Sequence, residues 1–161
     1  MTDIKMADVG GKPVTERMAK AACRVVLSVE TIAMVKRNEI PKGDVVSAAK
    51  IAGIMAAKKT SELIPLCHPL EITNVDVQVA PQGDFIEIIS VVRSFSKTGV
   101  EMEALTAAAV AALTIYDMCK PLDKEIIISD LMLLEKTGGK SGYYKVKSKT
   151  INDEIRSPND E

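Results

Sequence analysis

The stretch EITNVDVQVA (71–80), PQGD (81–84) and FIEIISVVRS (85–94) decides the fold. Val, Ile and Phe dominate both flanks, and such side chains suit a pleated, half-buried surface. Pro, Gly and Asp punctuate the four residues between, so the two runs predict an antiparallel hairpin. Upstream, Asp44 is a good N-cap, and Val45, Ala48, Ala49, Ala52, Met55 and Ala56 recur at helical spacing. That helix runs into Lys58 and Lys59, where positive charge suits the dipole, and Pro65 ends any continuation. Downstream of the hairpin a Lys97-Thr98-Gly99 loop leads into residues 101–119, the clearest helix of the chain. There Met102, Leu105, Ala109, Ala112 and Tyr116 share one apolar stripe, and Pro121 marks the stop.

The remaining elements extend outward from this centre. Ala19, Ala21, Cys23, Val25 and Leu27 alternate with Lys20, Arg24 and others. Period two predicts a strand over 15–27, although Ala and Met would also suit a helix. Ser28 then caps a short helix through Glu30, Ile32 and Met34. Residues 125–134 read as the last main strand, KTGGKSG (136–142) as a flexible loop and 143–147 as a short edge strand. The order strand, helices, strand, strand, helix, strand is the split βαβ of ferredoxin-like α+β domains. Such a domain has an antiparallel sheet with helices on one face. The predicted organisation is one domain over 15–147, a flexible arm over 1–14 and a flexible charged tail over 148–161. The fold alone settles no function.

Composition narrows the classes. A net charge of −1 argues against a whole-surface grip on nucleic acid, and 3% aromatics without Trp leaves little for base stacking. Cys23, Cys67 and Cys119 are odd in number and lack CxxC spacing, which predicts reduced thiols and a cytoplasmic setting. The opening residues are polar and carry Asp3 and Asp8, unlike a signal peptide. The most apolar run, 104–115, reads as too short and too rich in Ala and Thr to span a membrane.

The polar residues that remain ask for an explanation. The only histidine, His68, stands between Cys67 and Pro69, with Pro65 three residues before it, in LIPLCHPL (63–70). Imidazole is the default proton carrier near neutral pH, but a lone His is as readily a packed structural residue. Lys42 with Asp44 reads either as a solvated lysine beside a cap or as part of a site. Glu101 and Glu103 lie in the first turn of their helix, where the dipole favours carboxylates. Asp117 and Lys120 are three apart at the other end, hence surface neighbours. Glu103 and Asp117 are separated by about 21 Å of helix. One small reacting centre cannot touch both, so either the ligand is long or two subunits each contribute one end. The loop 136–142 could wrap amides around phosphate but lacks the Walker spacing. Zinc on Cys67, His68 and Cys119 finds no support in the spacing, and no nucleophile elbow is present.

Three long blocks carry a resemblance: KGDVVSAAKIAGIMAAKKTSELIPLCHPL (42–70), KTGVEMEALTAAAVAALTIYDMCK (97–120) and LLEKTGGKSG (133–142). Together they closely resemble the MoaC family, the cyclic pyranopterin monophosphate synthases of molybdenum-cofactor biosynthesis, over about residues 15–147. The resemblance implies a ferredoxin-like fold in a homohexamer, a trimer of dimers, with the active site at a dimer interface. It also implies a reaction on a cyclised dihydro-GTP, (8S)-3',8-cyclo-7,8-dihydroguanosine 5'-triphosphate, supplied by a radical SAM enzyme one step earlier. That nucleotide is rearranged to cyclic pyranopterin monophosphate with release of diphosphate.

Carried over residue by residue, the family's acid/base aspartate falls on Asp117 and its catalytic lysines on Lys42 and Lys120. Its substrate-binding segments fall on Leu66, Cys67 and His68 and on Met102 and Glu103. Arg17, Glu101, Lys136 and Lys140 match further polar positions around the pocket. The arm and the tail match nothing specific. No metal site or cofactor is implied, and an auxiliary divalent cation such as Mg is not required by the sequence. Neither nucleic acid nor a membrane is an expected partner. The rivals are another enzyme of this fold acting on a phosphorylated metabolite, and a non-catalytic ligand-sensing or RNA-binding module. The last would want aromatic or basic residues along the sheet, where residues 85–94 offer only Phe85 and Arg93.

Overall fold

A computed structural model describes residues 2–147. Its elements follow the alternation of the sequence: β1 (Thr15–Val26), α1 (Val29–Lys36), α2 (Val45–Lys58), the single turn α3 (Thr60–Leu63), β2 (Ile72–Pro81), β3 (Phe85–Ser96), α4 (Glu101–Cys119), β4 (Ile127–Thr137) and β5 (Tyr144–Lys145). The sheet runs β2-β3-β1-β4-β5, antiparallel throughout. Its first four strands have the ferredoxin-like order. The predicted tail over 148–161 lies outside the described residues.

Period two decides which side of β1 enters the core. Ala19, Ala21, Cys23 and Val25 are fully buried beneath the helices, joined by Ile86, Ile88 and Val92 of β3. Ala22, Ile89 and Leu134 form a second, smaller apolar cluster with Val91, Met132 and Val146. The caps are where the side chains require them. Ser28 Oγ accepts the Thr31 N–H at 3.2 Å, and Asp44 Oδ1 accepts the Ser47 N–H at 3.0 Å.

Two expectations are corrected. The buried face of α4 is not the stripe of Met102 and Tyr116, both of which are exposed. It runs through Glu103, Ala104, Thr106, Ala107, Ala108, Ala111, Ala112, Ile115, Met118 and Cys119, and the small side chains among them let α4 settle closely on the sheet and on α2. The last main strand also runs on to Thr137, so Lys136 is held by the sheet rather than by the loop. As a whole, α4 is long and apolar enough to cross a bilayer, which its central run alone did not suggest. It is packed instead against β1, β3 and α2 as a core helix.

The two long helices approach closely at Gly53. A Cβ there would lie 3.0 Å from the Ala107 carbonyl oxygen and 3.2 Å from Val77 Cγ2. Gly→Ala inside a helix ordinarily stabilises by about 1 kcal/mol. Here the blocking atom is helical backbone, so Gly53→Ala is expected to destabilise by about 1–3 kcal/mol instead. Urea unfolding checks the sign, and a stabilised variant would mean that the helices slide apart freely.

Candidate active site

Polar residues gather at the two ends of α4. At its C-terminal end Asp117 and Lys120 are one turn apart, and their side chains meet at 2.8 Å. The loop before α2 brings Lys42 to the same carboxylate. Lys42 Nζ donates to Asp117 Oδ2 at 2.8 Å and to the Asp117 carbonyl at 3.0 Å. One carboxylate thus holds two ammonium groups, one on each oxygen. These hydrogen bonds, that from Lys120 first, hold the Asp117 carboxyl down at about 2. The same contact raises Lys120. The Asp117 carboxylate thus favours the charged form of Lys120.

At the N-terminal end a cavity of about 720 Å³ opens between β1, the 97–99 loop, the start of α4 and the glycine-lysine loop. Arg17, Glu101, Lys136 and Lys140 line it, as does Ser141. Lys136 Nζ is 2.7 Å from Glu101 Oε1 and 3.3 Å from Ser141 Oγ. Both members of that ion pair are about three-quarters buried. The loop closes over the site through glycines. Gly139 has φ of +74°, and a Cβ there would fall on the Arg17 guanidinium. A side chain at 139 would push either the loop or the arginine away.

A second cavity of about 210 Å³ adjoins the first, the two sharing Lys12, Thr98, Gly99 and Glu101. It is lined by Leu66, Cys67, His68, Met102 and Glu103. Glu103 is only 4% exposed, and burial raises its carboxyl above the ordinary value, with the Glu101 charge adding to the effect. Burial chiefly, and Glu103 next, likewise raise the Cys67 thiol. The Glu103 carboxyl is thus shifted upward, whereas that of Asp117 at the other end is shifted downward.

The structure therefore brings nine of the twelve candidate residues to one pair of cavities and sets Lys42, Asp117 and Lys120 apart. The nineteen residues of α4 put roughly 28 Å between the two groups within one chain. Sequence reasoning missed Thr15 and Lys12 as cavity-lining residues. The 2–14 segment carries no motif, yet its Ala7, Val9 and Lys12 line the smaller cavity. Lys97 Nζ ties it down by donating to the Gly10 carbonyl at 2.7 Å. No group of three or more His, Cys, Asp or Glu side chains able to hold a metal occurs among the described residues.

A ferredoxin-like domain with a cation-lined cavity and a separate lysine–aspartate–lysine cluster is built for acid–base work on an anionic ligand. The MoaC family model matches residues 6–139, and the chain belongs to that family. The match takes in most of the arm segment that lines the cavity. Curated relatives named cyclic pyranopterin monophosphate synthase agree over nearly the whole chain. That of Peptoclostridium acidaminophilum is 52% identical over 144 residues, 89% of this chain and 92% of the relative. Those of Desulfitobacterium hafniense and Heliobacterium modesticaldum are 54% and 55% identical, each over 87% of this chain and 86% and 89% of the relative.

The raised Glu103 carboxyl has a measurable consequence. Below its ordinary value of 4.5 the group is neutral in folded and unfolded chains alike, and burial carries no charge penalty. As pH rises, the unfolded chain ionises first and the folded state loses relative stability until the folded group ionises too. Glu103→Gln removes that penalty. Its urea midpoint should exceed that of the wild type at neutral pH and converge with it towards pH 4.5. A difference independent of pH would show that the buried carboxyl is not the cause.

Proposed function

We propose that this chain is a lyase that converts the cyclised dihydro-GTP into cyclic pyranopterin monophosphate and releases diphosphate. The observation that carries the reading is the single Asp117 carboxylate held between Lys42 and Lys120 at 2.8 Å. Rearranging the guanine and ribose portions requires repeated proton transfers, which a carboxylate and two ammonium groups can exchange with substrate. A carboxyl held at about 2 is a weak base. When a substrate oxygen engages the lysines, that restraint relaxes and Asp117 becomes the better proton acceptor. Closure of the cyclic phosphate forms a bond from a ribose-derived hydroxyl oxygen to the α-phosphorus. The bond to the β-phosphate oxygen breaks, the hydroxyl proton goes to base, and diphosphate leaves. The lysines and Arg17 of the large cavity suit the phosphates, and no step asks for a redox cofactor or a resident metal.

Two observations support assembly. The two polar groups lie too far apart along α4 for one nucleotide to reach both within a chain. Exposed Ile51 and Met55 on α2 and Leu113 on α4 leave apolar surface outside the core. A dimer-built hexamer, in which Lys42, Asp117 and Lys120 of one subunit complete the cavities of another, removes the mismatch. All three cysteines are free, which accords with a cytoplasmic setting beside the radical SAM enzyme that supplies the substrate.

Diphosphate release from the cyclised nucleotide tests the reaction. Asp117→Asn keeps the shape and is expected to lower the single-turnover rate by at least about a thousandfold while substrate still binds. An Asn variant near the wild-type rate would remove Asp117 from the chemistry. Sharing of sites is tested by mixing. Asp117→Asn and Arg17→Ala proteins, each expected to lose most activity alone, should regain a substantial fraction of it when unfolded and refolded together. Absence of recovery despite mixed oligomers would place each complete site within a single chain.

A further inference from the structure

Thr15 has no part in the chemistry above, yet its position is unusual. Two buried side-chain polar atoms among the described residues have no hydrogen-bond partner: Thr15 Oγ1 and Arg17 Nε. Both residues line the cavity of about 720 Å³. They are two apart on β1, so they face the same side of the sheet, the side of Ala19 and Ala21 beneath the helices. A buried polar group left without a partner carries its full desolvation cost uncompensated. Two such costs side by side, in a cavity wall, point to a ligand rather than to folding.

The rest of Arg17 is closely held. One terminal N–H donates to the Lys97 carbonyl at 3.4 Å, and Gly139 leaves no room for a Cβ beside the guanidinium. The guanidinium is planar, so fixing its end fixes the direction of the Nε–H as well. The Thr15 hydroxyl can turn its single proton to meet the same acceptor. Charge identifies the acceptor. Lys12, Arg17, Lys97, Lys136 and Lys140 line the cavity against one carboxylate, Glu101, which Lys136 already engages. An anion with several oxygens, hence a phosphate group, satisfies both unpaired donors and the excess positive charge together.

We propose that Thr15 is a further substrate-positioning residue, its hydroxyl and the Arg17 Nε–H together holding the diphosphate portion of the substrate. This rests on the reaction proposed above and assigns the leaving group to the large cavity. It also makes a prediction of opposite signs that a structural threonine would not give. Thr15→Val keeps the shape and removes an unpaired hydroxyl, so the free protein should be as stable as the wild type or more so. The same change should weaken binding of inorganic pyrophosphate about tenfold, and Thr15→Ser should restore it.

Calorimetric titration with inorganic pyrophosphate, urea unfolding and steady-state kinetics read these effects. In turnover the loss from Thr15→Val should fall mainly on KM rather than kcat. A destabilised Thr15→Val protein with wild-type pyrophosphate affinity would overturn the proposal. So would failure of Thr15→Ser to restore binding, or absence of pyrophosphate binding by the wild type. Thr15-dependent pyrophosphate binding by a protein that cannot turn over the cyclised nucleotide would support the anion site and overturn the reaction. Normal turnover with a Thr15→Val variant of unaltered affinity would do the reverse.

Discussion

Everything functional in this chain is referred to the seating of α4. Half of its buried residues are alanine, the residue that costs least to hold in a helix, so α4 can lie close to β1, β3 and α2. Close seating leaves little freedom to shift, because at Gly53 the backbone of α4, rather than a flexible side-chain tip, is the nearest obstacle. The helix is then a rigid spar. One end presents Glu101 and Glu103 to the cavities and the other presents Asp117 and Lys120. The separation and facing of the two polar groups are fixed before any ligand arrives.

The two ends create opposite electrostatic surroundings for similar groups. Asp117 is exposed and bridged by two lysines, which favours its charge, while Glu103 is enclosed by protein, which opposes it. Environment, not residue type, therefore sorts the carboxyls into one held below the ordinary carboxylate range and one pushed upward from it. A chemistry with several proton transfers benefits from having both.

Much of the fold was legible because it was written in strong local patterns. The alternation from Ala19 to Val25, the turn at residues 81–84 and the caps at Ser28 and Asp44 each follow from near neighbours. The buried face of α4 was not, because alanine gives almost no hydrophobic contrast around a helix and Met102 and Tyr116 drew the stripe to the wrong side. The end of β4 was obscured because Lys and Thr suit a loop, whereas Lys136 and Thr137 pair with Ala19 and Met18. In the candidate site, the i, i+3 spacing foretold the Asp117–Lys120 contact. Lys42 already stood out beside Asp44 at a helix entrance, but nothing local tied it to Asp117, 75 residues away. Burial of Glu103 and the unpaired hydroxyl of Thr15 are products of packing, and nothing in their sequence neighbourhoods announces either.

His68 is the only imidazole in the 161 residues, and it lines the smaller cavity. The chain has no tryptophan, so fluorescence offers little view of its interior. The histidine fills that gap. Its ring protons would appear in a magnetic resonance spectrum as a single resolved pair, needing no assignment by mutagenesis. Any titration, line broadening or chemical modification of imidazole reports on this one place. The molecule thus carries a spectroscopic label at its candidate site, installed by its own composition.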